Sequence, residues 1–185
     1  MRVISGTAKG TKLNSIDSIL TRPTLDRVKE SLFNIIQNNI KDSIVLDLFS
    51  GSGALAIEAL SREAKEAVLC DNSYEAIQII NKNLKETKLE EKAKVIREDY
   101  IHAMQILSKE SKKFDIIFLD PPYKSDYIIK SIKEIIKLDL LKSDGIIVAE
   151  TDDKDKIEKI RNIKEIEVYD ERKYGIVLII FIRKG

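Results

Sequence analysis

Past residue 40 this chain alternates short apolar runs with stretches of helical spacing, and few folds satisfy that order. Residues 44–48, 67–71, 93–97 and 114–119 are apolar enough for strands buried on both faces. Between them, residues 54–62, 74–87 and 101–108 carry apolar side chains at the intervals of amphipathic helices. A helix over 127–138, a strand over 145–150 and a charged helix over 155–161 continue the pattern. Strands separated by crossover helices predict a parallel sheet covered on both faces. The final apolar runs, 165–169 and 176–182, are joined by a few polar residues and Gly175, too few for a crossover, so they must pair antiparallel. The expected fold is α/β: a doubly wound, mostly parallel seven-stranded sheet with one antiparallel strand.

Ahead of this core, residues 2–5 and 11–13 flank Gly6-Thr7-Ala8-Lys9-Gly10 and predict a small hairpin. A helix is expected after Pro23, with Thr24 as its N-cap and Val28, Leu32, Ile35 and Ile36 facing inward. No repeat or flexible linker interrupts the chain, so residues 1–185 read as one domain, an extension over 1–40 and a core over 41–185. Cys70 and His102 are the sole cysteine and histidine, which excludes an internal disulfide framework and a structural zinc site; no metal is expected. Neither a signal peptide nor a membrane span is visible, which predicts a cytoplasmic protein; a monomer is expected, though the sequence leaves oligomeric state open. Net charge is only +1, but residues 1–22 hold Arg2, Lys9, Lys12 and Arg22 against Asp17 alone, a local balance of +3 that suits phosphates.

The first strand ends in Asp47-Leu48-Phe49-Ser50-Gly51-Ser52-Gly53 and opens a helix. Glycines at that junction permit a tight turn and close approach of a ligand to the backbone. Asp71, eighteen residues beyond Gly53 at the end of the second strand, suits the hydroxyls of a ribose. A carboxylate at position 47 would repel a pyrophosphate and attract an ammonium group. Adenosine at one end and a cationic amino acid at the other describe S-adenosylmethionine. Asp99, ending the third strand, is placed to accept from an adenine amine. Helix capping is the competing reading for Asp71 and Asp99.

Asp120-Pro121-Pro122-Tyr123 follows the fourth strand. Two prolines can neither continue a strand ladder nor enter a helix interior, so the backbone there is a stiff turn. A carboxylate on one side and an aromatic ring on the other could grip a planar, amine-bearing group. A polar loop with a capping Asp is the plainer alternative.

Three segments together resemble the bacterial small-subunit ribosomal RNA guanine-N2 methyltransferases. They are Asp47-Leu-Phe-Ser-Gly-Ser-Gly, Asp120-Pro-Pro-Tyr and the stretch Arg22-Pro-Thr-Leu-Asp-Arg-Val-Lys-Glu-Ser-Leu-Phe-Asn. The opening Arg2-Val-Ile-Ser-Gly matches too, so the resemblance covers nearly the whole chain. It implies a class I, Rossmann-like methyltransferase fold acting on one guanine amine of 16S ribosomal RNA, free or in a small-subunit assembly intermediate. By the same resemblance Asp47, Phe49, Ser50, Gly51 and Gly53 would hold the methionine part and sugar of the cofactor. Asp71 and Asn72 would take the ribose, and Asp99 and Tyr100 would frame the adenine. Thr24 and Arg27 would close the pocket or face RNA, alongside Arg2, Lys9, Lys12 and Arg22. Hydrogen bonds from the amine to Asp120 and the Pro121 carbonyl would ready its nitrogen for attack, with Tyr123 stacked on the base. An adenine-N6 DNA methyltransferase and a non-catalytic assembly factor that retains the pocket are the rival readings. A protein-glutamine methyltransferase and a nicotinamide-dependent oxidoreductase are more distant ones.

Overall fold

The computed structural model describes residues 1–15, 23–122 and 125–185, with residues 23–25 described in their backbone only. Seven strands form one sheet: β1 (Ile44–Asp47), β2 (Glu66–Asp71), β3 (Ala93–Arg97), β4 (Phe114–Leu119), β5 (Leu141–Thr151), β6 (Ile166–Tyr174) and β7 (Val177–Lys184). Their spatial order is β3-β2-β1-β4-β5-β7-β6. β1 through β5 pair in parallel, whereas β7 runs antiparallel to both β5 and β6, the single reversal expected. The strand order turns back between β1 and β4, and in open α/β sheets that switch point is where ligands bind, beyond the carboxyl ends.

Helices α3 (Ala54–Ser61), α4 (Tyr74–Thr87), α5 (Tyr100–Lys109), α6 (Tyr127–Lys137) and α7 (Lys154–Arg161) supply the connections. Ahead of them come α1 (Pro23–Ile35) and the single turn α2 (Gln37–Ile40), which the apolar spacing did not separate from α1. Two apolar clusters result, one per face. Val45, Phe118 and Val148 point towards α1, α3 and α4. Their immediate neighbours Leu46, Leu119 and Ala149 point towards α5, α6 and α7. That is the two-residue period of a strand buried on both sides. Among the described residues no helix is long and apolar enough to cross a membrane.

Three expectations need correction. The N-terminal hairpin is shorter than expected, one antiparallel bridge of Arg2 with Lys12, held by Val3 N–H donating to Thr11 O at 2.9 Å, Gly10 N–H to Val3 O at 2.9 Å and Leu13 N–H to Met1 O at 3.0 Å. Helix α1 already includes Pro23, so Thr24 lies inside it and is not the N-cap; proline's fixed φ suits a first helical position. β6 runs on to Tyr174, well past the apolar run at 165–169, because its exposed charged residues mask the pattern, whereas β7 follows the run at 176–182 closely.

The extension is fastened to α3 through a charged hub. Glu58, fully buried one turn into α3, accepts from Ile4 N–H at 2.8 Å, Ser5 N–H at 3.0 Å and Arg62 Nε at 2.8 Å. Lys29 of α1 reaches the same carboxylate at 3.2 Å and donates to Arg2 O at 2.6 Å. Burial holds the Lys29 ammonium below its ordinary range, against the attraction of Glu58. Gly6 lies against the end of α3: a Cβ there would stand 1.7 Å from Ser61 O, and its φ of +86° also favours glycine.

Candidate functional site

At the carboxyl ends of β2, β3 and β4, Asp71, Asp99 and Asp120 line one cleft, as the order of elements predicts, and Asp47 at the end of β1 shares a second cavity with Asp120. The glycine loop after β1 is positioned by its own backbone and by α4. Ser50 N–H donates to Cys70 O at 2.9 Å, Gly53 N–H to Ser50 O at 2.7 Å, and Asn83 Nδ2 to Ser52 O at 2.9 Å. Gly51 and Gly53 have φ of +54° and +79°, so the left-handed backbone itself requires glycine there. At Gly53 a Cβ would also meet Leu69 Cδ2 at 3.0 Å.

Asp47 is 1% exposed. Its Oδ2 accepts from Ala56 N–H at 3.3 Å, while Oδ1 is buried with no hydrogen-bond partner. Burial raises its pKa to about 7, against the Ala56 N–H and with help from the charge of Asp71. An orphaned carboxylate oxygen at the mouth of a cavity is a receptor for a donor. An ammonium group meets that description.

Asp71 and Asp99 serve the backbone first. Asp71 accepts from Gly51 N–H and Ser73 N–H, both at 2.9 Å, which ties the glycine loop to the end of β2. Asp99 caps α5 by accepting from Ile101 N–H at 2.9 Å. The capping reading of Asp99 is therefore correct as far as it goes. Each residue still lines the cleft, with Asn72, so capping and ligand contact are compatible.

The cavity over these residues is about 410 Å³, with Phe49, Tyr100 and Tyr127 along one wall. The rings of Phe49 and Tyr127 are parallel, 6.0 Å apart, and Tyr100 stands 5.3 Å from Phe49 and 4.9 Å from Tyr127. Burial raises the Tyr100 hydroxyl above its usual pKa. Tyr127 was read only as the start of a helix; its place just after the Pro-Pro turn was the available signal.

A second cavity of about 260 Å³ adjoins the first, sharing Phe49, Gly51 and Asp120 with it. Asp120 is exposed at the rim, yet the protein packed around it desolvates its carboxyl in part. That desolvation, then the charge of Glu150, then that of Asp47, raises its pKa well above the carboxylate range. Pro121 is buried; the carbonyl of Pro122 accepts from Ser125 N–H at 3.1 Å and Ser125 Oγ at 2.7 Å, which fixes the turn. Glu150, which lines this cavity at the end of β5, was missed. Its signal lay in the sequence: it ends a predicted strand in step with Asp47 and Asp120.

Arg2, Lys9 and Arg27 are exposed around a groove of about 560 Å³ between the N-terminal turn and α1, and Lys12 faces Arg2 across the bridge. Asp26 and Glu30 share the groove, so its charge is mixed. Arg22, Tyr123 and the Thr24 side chain lie outside the described residues.

A family model described as "Conserved hypothetical protein 95" matches residues 1–183. The chain is 39% identical over 184 residues to the Bacillus subtilis protein named "Putative rRNA methyltransferase YlbH", covering all of this chain and 99% of that one. It is 37% identical over 157 residues to the Haemophilus influenzae "Ribosomal RNA small subunit methyltransferase D", covering 84% of this chain and 80% of the relative. A solved Escherichia coli structure described as "Putative methyltransferase yhhF" superposes with a TM-score of 0.84 at 30% identity, covering 100% of this chain and 98% of that one.

Proposed function

This chain belongs to the family described as Conserved hypothetical protein 95, and from that premise we propose that it is an S-adenosylmethionine-dependent methyltransferase acting on the N2 amine of a guanine in 16S ribosomal RNA. The single observation that carries this reading is the placement of Asp120 beside the orphaned Asp47 carboxylate, across one cleft at the switch point of the sheet. The names of its relatives give the ribosomal substrate its support; the choice of guanine N2 rests on the resemblance of the motifs.

The residues fit the cofactor. Asp47 Oδ1 would receive the ammonium of the methionine part, which favours its ionised form. Asp71 would take the ribose hydroxyls with the lone pairs its backbone bonds leave, Asn72 lying beside it. The aromatic wall and Asp99 would frame the adenine. When bound, the cofactor supplies a methyl group on a sulfonium, already activated towards attack without a metal.

The protein must then improve a poor nucleophile, because the lone pair of a guanine amine is delocalised into the ring. Asp120 and the Pro121 carbonyl would accept its two N–H bonds and favour a pyramidal nitrogen with its lone pair directed at the methyl carbon. Those bonds strengthen as positive charge grows on nitrogen, so they stabilise the transition state more than the ground state. Methyl transfer would exchange the C–S bond for a C–N bond, and Asp120 would take the proton released from the amine. A raised pKa suits it to that role, and the cationic cofactor draws it into the ionised state the role requires. Arg2, Lys9, Lys12, Arg22 and Arg27 would track phosphates.

Mass-spectrometric mapping of 16S ribosomal RNA from cells with and without the protein tests the reading. One N2-methylguanosine should disappear in the deletion strain and return when purified protein and S-adenosylmethionine are added. Identical methylation patterns in the two strains would refute it.

A further inference from the structure

We propose that Glu150 reads the Watson–Crick edge of the target guanine, its carboxylate accepting from N1–H while Asp120 holds the adjacent N2 amine. The inference rests on the guanine reading above and deepens it by naming the side chain that selects the base.

Geometry carries it. Leu119 and Ala149 are the last paired residues of the parallel strands β4 and β5. Asp120 and Glu150 each follow by one residue, so they sit side by side on neighbouring strands, about 4.8 Å apart in backbone. Strand alternation turns both to the face of Phe118 and Val148, which Asp47 shares through Val45 on β1. The three carboxylates accordingly line the same 260 Å³ cavity, roofed by Val28 and Leu32 of α1. Lys29 also reaches it, but its ammonium is engaged by Glu58 and the Arg2 carbonyl.

A cavity so lined wants donors. Asp47 is 1% exposed with its Oδ1 unpartnered, and the charge of Glu150 opposes the ionisation of Asp120. Among the described residues no three acidic, histidine or cysteine side chains converge closely enough to hold a metal ion, so a metal ion is not the evident occupant. Guanine offers adjacent donors, N1–H and the two hydrogens of N2, along one edge. Adenine offers an acceptor at N1, which a carboxylate repels. A carboxylate has about four acceptor positions, so a contact within the protein that aims Glu150 leaves others for the base. An extruded base is read on this edge by many RNA-binding proteins.

The test uses 16S RNA carrying either guanosine or 2-aminopurine riboside at the mapped position, presented naked and in reconstituted small subunits. 2-Aminopurine keeps the reacting amine but has an unprotonated N1. The wild-type chain should prefer guanosine by roughly a hundredfold or more in kcat/KM, as expected when a carboxylate loses its donor. Glu150→Gln, whose amide can donate to N1, should narrow the preference below about tenfold, with cofactor affinity by calorimetry unchanged. Glu150→Asp, which keeps the charge, should retain the sign of the preference. An unaltered preference in Glu150→Gln, or equal loss of activity on both RNAs, would overturn the proposal while leaving the methyltransferase reading intact. Failure of the wild-type chain on both RNAs, with S-adenosylmethionine still bound, would refute the guanine reading itself.

Discussion

The two faces of the central sheet are built from the same strands, one residue out of step, and do different work. Towards α5, α6 and α7 the strand ends carry Leu46, Leu119 and Ala149, all buried. Towards α1 and α3 the adjacent positions carry Asp47, Asp120 and Glu150. Apolar contact continues to the very end of the strands on one side and gives way to carboxylates on the other. The difference teaches that parity along a strand, more than position along the chain, decides which residues meet the ligand. A one-residue slip of β4 or β5 would exchange the two sets.

Substitutions on opposite faces should therefore fail in opposite ways. Asp120→Ala should lower turnover by about a thousandfold, the range for losing one preorganised transition-state contact. Its melting temperature should change little, because Asp120 is exposed. Methylation near the wild-type rate would remove Asp120 from the mechanism. Ile147→Ala, fully buried on the apolar face, should cost about 2–5 kcal/mol of stability. Turnover per folded molecule should stay unchanged, as denaturant titration beside single-turnover kinetics would show.

Asp47→Asn sharpens the contrast through pH. Because burial holds the folded-state pKa at about 7, above the unfolded value near 4, the neutral acid's stability contribution is complete below about pH 4 and lost as pH rises through about 7. The variant should consequently melt higher than wild type above pH 8 in the absence of cofactor. Cofactor affinity runs the other way. It should fall about tenfold per pH unit below 7 in the wild type as Asp47 takes up its proton, and Asp47→Asn should lose that acidic limb. Parallel calorimetric profiles for both proteins would exclude Asp47 as the ammonium acceptor.

The smallest effect is expected at the basic groove beside α1. Replacing Arg2, Lys9 and Arg27 together by Ala should weaken RNA binding modestly and reduce the slope of log affinity against log salt by about two. Filter binding across a salt series would check it, and an unchanged slope would detach the groove from the RNA.

Strand order and the acids at the ends of β1 to β4 were legible because each follows an apolar run at the one place where such a chain must turn. Glu150 was legible in principle and overlooked, since it ends β5 without a glycine or proline to draw attention. Tyr127 was hidden for another reason: an aromatic opening a helix looks like core until the fold brings it against Phe49. The Lys29–Glu58 pair was illegible, because a charge on an amphipathic helix normally faces water. Here two helices distant in sequence turn theirs towards each other. The full length of β6 was obscured by charges on its exposed face, where burial imposes no pattern.

The charged hub around Glu58 makes the first few residues a keystone for the helix that opens behind the glycine loop. Removing residues 1–5 would strip the Glu58 carboxylate of two amide donors and Lys29 of its carbonyl, stranding charge one turn below the cofactor loop. Anyone trimming or immobilising the protein should accordingly leave residues 1–5 intact and place handles near Gly185. There Gly185 closes the outer hairpin with a bond from its N–H to Glu165 O at 2.9 Å.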